Sequence, residues 1–183
     1  MIEILVTIAI LVIGLWGLME MQTRLQISEM ESYQRTQALM LVDDMANRIG
    51  TNRRNASLYV TVAEQGAGVA NCATPAVTAA LEIRDEAEWC AAIKGAAEQS
   101  GGTEVGALVG GRGCVKSLSA SGVEEYMVIV VWQGLTPIAA PPAEVDCGEN
   151  EYDIPVGSAC AAAPDFCRRY VSRLVRIADL TDL

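Results

Sequence analysis

Histidine is missing from all 183 residues, which removes the commonest general base, the commonest metal ligand and the usual pH switch together. Catalysis would have to rest on other groups. No Cys-x-x-Cys occurs either, so a thioredoxin-like redox pair is excluded, and a zinc site lacks both its paired cysteines and its histidines. A cationic surface is also lacking. The chain carries 13 basic against 23 acidic residues, a net charge of −10, and after Arg54 the count is still 8 against 17. Phosphate neutralisation needs the opposite sign, so nucleic acid is not an expected partner.

What the chain does have is apolar content, at 51%, enough for one sizeable head plus an extension but not for two independent cores. All six cysteines, Cys72, Cys90, Cys114, Cys147, Cys160 and Cys167, follow the first seventy residues. An even number in a segment facing an oxidising compartment predicts three disulfides, with the pairing left open.

Residues 4–19 are sixteen consecutive uncharged positions in which Thr7 is the one side-chain hydroxyl. As a helix they rise roughly 24 Å, slightly short of a bilayer span, and Met1, Ile2 and the turn at Met21 extend them. A secretory signal peptide would start basic and end in small residues, whereas Glu3 stands at the start here and Glu20 and Arg24 follow the run. The helical pattern continues. Met30, Tyr33, Ala38, Leu41, Val42, Met45 and Ile49 recur every three or four residues as one apolar stripe, and Glu20 with Arg24, Glu31 with Arg35 and Asp44 with Arg48 are acid-first pairs four apart. Residues 1–50 therefore read as one helix of roughly 75 Å. No compact domain of this size encloses that length, so its first half must be buried by lipid or by neighbouring copies.

Gly50, Asn52 and Asn55 are expected to end the helix, leaving a loop or short strands up to Asn71. Pro75 is read near the start of a helical segment. Asp85, Glu86 and Glu88 are placed at the amino end of another, with Trp89, Ala92, Ile93 and Ala96 as its apolar side and Gly101 and Gly102 as its close. Strands are expected over 103–109, 114–119, 126–132 and 169–177. The third, Tyr-Met-Val-Ile-Val-Val-Trp, is apolar on both faces and suits a central strand covered on both sides. Residues 136–166, rich in proline and alanine with three cysteines, read as a long loop that needs its disulfides. Ser121 and Asn150 are expected on the outward face of the head.

Glu3 is the informative residue, since a carboxylate at the head of an apolar span is costly at membrane depth. Residues 1–15, Met-Ile-Glu-Ile-Leu-Val-Thr-Ile-Ala-Ile-Leu-Val-Ile-Gly-Leu, resemble the class III prepilin signature of the type IV pilin superfamily. In that pattern the glutamate follows a Phe-Thr or Phe-Ser pair, so about two residues and a basic leader would stand ahead of Met1. Asp43-Asp44-Met45-Ala46-Asn47-Arg48-Ile49, Gly113-Cys114-Val115, Val131-Trp132-Gln133-Gly134-Leu135, Cys147-Gly148 and Arg168-Arg169-Tyr170-Val171 are similar to PilV-type minor pilins. The resemblance covers most of the chain and is weakest over 50–110.

The resemblance implies an α+β type IV pilin fold: a long helix over 1–52, with 1–22 inserted in the membrane or filament core and 23–52 packed on the head, and a periplasmic head over 53–183. It implies a minor pilin that primes type IV pilus assembly and joins the tip complex, with no catalytic, metal or cofactor site. Its partners would be other minor pilins, the major pilin, a tip adhesin, the prepilin peptidase during maturation and the inner membrane before assembly. A methylated amino terminus, extracellular location after assembly, and roles in adhesion and twitching motility go with it. Glu3 would offer its charge to the α-amino group of an adjacent subunit, two charges that are costly apart and tolerable together. Gly14 and Gly17 cost about 1 kcal/mol each relative to alanine in a helix and mark a weak point that could unwind on filament insertion, or a site of close helix packing. A type II secretion pseudopilin shares the same logic, and a membrane-anchored periplasmic enzyme or sensor is the alternative of a different class.

Other motifs carry less. Gly106 and Gly111 have P-loop spacing, but Arg112 and Gly113 replace the lysine and hydroxyl residue. Asn55-Ala56-Ser57 fits a glycosylation sequon, which is short enough to arise by chance. Acids such as Asp85, Glu86 and Glu88 collect in first turns without chemistry, and Arg168, Arg169, Arg173 and Arg176 are expected to balance the acidic head or meet a neighbour.

Overall fold

The computed structural model describes residues 2–96, 99–100, 103–104, 108–119, 123–153 and 157–178. Met1, Gly101, Gly102, Gly106 and Ser121 lie outside them. The fold is α+β, with one long amino-terminal helix, a four-stranded antiparallel sheet and three disulfides.

Helix α1 (Ile2–Thr51) is continuous, and the chain divides into compact units Met1–Tyr33 and Gln34–Leu183. In the first unit no described side chain is buried. Arg24 pairs with Glu20 at 2.7 Å, and the hydroxyls of Thr7 and Thr23 donate to the carbonyls of Ile4 and Met19, so the helix meets these side chains' polar needs itself.

In the second unit α1 buries Gln34, Ala38, Val42, Met45, Ala46 and Ile49, a stripe at the helical period. Four of the expected stripe positions are among them. Met30 and Tyr33 are instead more than half exposed, because burial on α1 begins only at Gln34. A 3₁₀ segment, Arg53–Tyr59, follows and buries Ala56 and Tyr59.

Helix α2 (Leu81–Lys94) buries Trp89, Cys90 and Ile93. It ends at Gly95 and not at the expected Gly101-Gly102: Gly95 takes φ +83°, and its N–H and that of Ala96 bond back to Ala92 and Ala91, a left-handed C-terminal cap that favours glycine. Pro75 starts no helix. Residues 73–80 are mostly exposed, and without an apolar face to bury a short helix does not sustain itself. Asp85, Glu86 and Glu88 consequently lie beyond the first turn of α2.

Strand β1 (Gln65–Gly66) pairs with β4 (Arg112–Ser117), β4 with β5 (Glu124–Gln133), and β5 with β6 (Arg168–Ile177), all antiparallel. Strands β2 (Gln99–Ser100) and β3 (Thr103–Glu104) form a separate hairpin. Of the strand expected over 103–109, Thr103–Glu104 is β3, 105–107 lie outside the described residues, and 108–110 turn to start β4: Gly110 has φ +61° and the Gly111 N–H donates to Leu108.

β5 is central, as its two-sided apolar run predicts. Tyr126, Val128, Val130 and Trp132 pack with the α1 stripe, Trp89 and Ile93, while Ile129 and Val131 pack with Cys114, Val145, Cys147 and Tyr152. Helices cover one face and the loop of residues 134–167 covers the other. Each large apolar side chain buried this way contributes about 1.5–3 kcal/mol.

Gly113 sets how closely α2 approaches the sheet, because a Cβ there would lie 2.4 Å from Trp89 Cη2 and 2.5 Å from Ile93 Cδ1. Gly113→Ala is expected to destabilise the full chain by about 1–3 kcal/mol, read as a lower urea midpoint in detergent. Gly14→Ala, whose Cβ would meet nothing within 4 Å, should not lower that midpoint.

Candidate functional site

The apolar segment at the start of α1 is long and apolar enough to cross a membrane, and none of it is buried within the chain. Glu3 occupies its first turn, where a negative charge is favourable to the helix dipole. Gly14 and Gly17 are helical like their neighbours, and nothing in the chain approaches where their side chains would be. The surface is a hydrophobic one with a single acid in its first turn.

In the head the cysteines pair as Cys72–Cys90, Cys114–Cys147 and Cys160–Cys167. The first ties the irregular segment after β1 to α2, the second ties β4 to the covering loop, and the third closes that loop just before β6. Glu64 lies near the sulfurs of Cys114 and Cys147, but both sulfurs belong to a disulfide and are not thiolate ligands.

The charged residues that could suggest chemistry are bound up in holding the head together. Arg48 Nη1 donates to Asp85 Oδ1 at 2.7 Å and to Glu88 Oε2 at 2.8 Å, and Nε to Asp44 at 2.9 Å. Tyr59 donates to the other Asp85 oxygen at 2.6 Å and accepts from Asn52. Burial, reinforced by the bond to Asp85, pushes the Tyr59 phenol up to about 12. Glu86 accepts from Gln65 Nε2, and burial raises its carboxyl above the usual range. Asp85, Glu86 and Glu88 of α2 are thus joined to α1, to the 3₁₀ segment and to β1.

On the other face, Arg112 bridges Glu64 at 2.7 Å and Glu151 at 2.6 Å, and Glu64 also accepts the Gly148 N–H. Lys116 pairs with Asp146, and Tyr152, its phenol pushed up by burial, donates to the Gly110 carbonyl. Arg168 is 4% exposed. Its guanidinium bonds the carbonyls of Val145 and Cys147 at 2.6 and 2.7 Å and Asp165 at 3.1 Å, and Asp165 in turn accepts the Asn150 N–H. Arg169 donates to the carbonyls of Thr136 and Phe166, Arg173 pairs with Asp43, and Arg176 with Glu125. All four arginines are paired within the head, Arg168 buried and Arg173 and Arg176 at its surface. The pairs of Arg173 with Asp43 and Arg176 with Glu125 fit the expected balancing of the acidic head, whereas nothing in the sequence marks Arg168 for burial among loop carbonyls that need donors.

Arg168→Met is expected to cost about 3–5 kcal/mol, since it leaves Asp165 buried without its cation, and to expose residues 134–167 to protease while all three disulfides persist. For Tyr59, a folded-state value of about 12 against 10.0 means that its contribution is full below pH 10 and is lost as pH rises through about 12. Unfolding measured across pH 8–12 should show this alkaline decline, and Tyr59→Phe should weaken it while costing about 1–3 kcal/mol at neutral pH.

No protein-family model, curated protein or solved structure matches the chain.

Proposed function

We propose that the chain is a minor pilin, a structural subunit that primes assembly of a type IV pilus and takes its place in the tip complex with other minor pilins and an adhesin. The observation that carries this reading is the division of labour along α1. Residues 2–33 bury no side chain and open with Glu3 ahead of an apolar run, while Gln34 to Ile49 supply one wall of a disulfide-stapled head. A helix so divided anchors the head in a membrane before assembly and in a filament core afterwards. Three disulfides fit an oxidising compartment such as the periplasm.

In this role Glu3 is a register device. An unpaired carboxylate in an apolar core is penalised, and pairing with the amino terminus of a neighbouring subunit relieves the penalty. The long covering loop, held by Arg112, Arg168 and two disulfides, would supply a firm outer surface for contacts between heads.

The test is incorporation. Glu3→Ala and Glu3→Gln chains should reach the membrane with folded heads, yet appear in sheared filaments at about a tenth or less of the normal level, as expected for losing one partner of a desolvated pair. Normal incorporation of both variants would remove the role given to Glu3. Absence of the unmodified chain from sheared filaments, with pilus assembly intact in its absence, would remove the pilus reading itself.

A further inference from the structure

Arg35 and Leu39 of α1, the opening of β6 and residues 138–142 line a cleft of about 590 Å³. Leu39, Ile138 and Tyr170 give it apolar walls, and all three are exposed. Its charged lining has one sign: Arg35, Arg168 and Arg169 border it, and no Asp or Glu is among the described residues that line it. That is the reverse of the chain as a whole, with 13 basic against 23 acidic residues.

Two of these cations are fixed from behind, Arg168 by the carbonyls of Val145 and Cys147 and by Asp165, Arg169 by the carbonyls of Phe166 and Thr136. The exposed guanidinium of Arg35, the one-signed border and the apolar walls together fit a partner that brings negative charge and apolar groups at once. β6 favours an extended backbone as the carrier of these groups. It is the last strand in the sheet, so its outer edge presents backbone groups that another extended chain can meet.

We propose that this cleft docks an extended segment of another protein, with a carboxylate against Arg35 and apolar side chains against Leu39, Ile138 and Tyr170. Every residue used lies within 34–183, so the inference goes beyond the pilin reading and does not depend on it.

A photoreactive amino acid placed at Ile138 in the full chain, expressed in its native cell, tests this when the captured segment is sequenced by mass spectrometry. The same capture is repeated with Arg35→Glu and Arg35→Lys, and membrane and filament levels of each chain are measured in the same samples. The expected result is a captured segment with an Asp or Glu close to the cross-link. Its yield should fall about fivefold or more in Arg35→Glu and stay within about twofold in Arg35→Lys, the scale of one ion pair, and replacing the partner's acid by lysine should restore capture by Arg35→Glu. A captured segment without an acid, a yield indifferent to Arg35→Glu, capture of lipid alone, or no capture would overturn the proposal, whatever the filament assay shows.

Discussion

Apolar helix surface has to be covered, and this chain covers only part of its own. Leaving such surface in water costs about 25 cal/mol for each Å², and the exposed stretch of α1 includes many large side chains, among them Ile4, Leu11, Ile13, Trp16 and Met19. From Gln34 onward the same helix turns a stripe inward and becomes one wall of the head core. Both halves obey the same rule with different partners: the head supplies the cover in one case, and lipid or other subunits must supply it in the other. The reading of the molecule as an assembly subunit grows from that need.

The head answers a second demand of the same kind. β5 is apolar on both faces, so the sheet needs two covers, and only one is built from regular structure. α1 and α2 pack on one side, with the Trp89 indole N–H donating to the Leu41 carbonyl at 2.9 Å and Gly113 leaving room for the ring. The other side is covered by irregular chain, whose backbone carbonyls would be orphaned without donors. Arg168 supplies them at Val145 and Cys147, Arg112 holds Glu64 and Glu151, and the Cys114–Cys147 and Cys160–Cys167 bridges limit what the loop can do when unfolded. Guanidinium groups serve here as mortar between a strand and a loop.

Legibility followed the strength of the local signal. The helix, the two-sided strand at 126–132 and the strand at 169–177 announce themselves by period and composition, and an even cysteine count was enough for the presence of disulfides but silent on their pairing. A two-residue strand such as Gln65–Gly66 has no period to read, and it exists because Gly66, at φ +76°, fits beneath Ile93. Pro75 misled because a proline can open a helix, yet the residues after it have nothing to bury. The burial of Arg168 and Asp85 leaves no mark in the sequence, since burial of a charge depends on partners far along the chain that composition does not reveal. At the site, the apolar run and Glu3 were visible at once, whereas the one-signed cleft beside β6 arises from three separate segments and could only be seen folded.

The most direct measurement of the central claim is a photoreactive amino acid at Leu11, in the uncovered stretch of α1, activated in filaments sheared from cells. The account predicts adducts with the amino-terminal helices of other subunits in the sheared fraction and with lipid in the membrane fraction. Adducts with lipid alone, in a chain that never leaves the membrane, would contradict it.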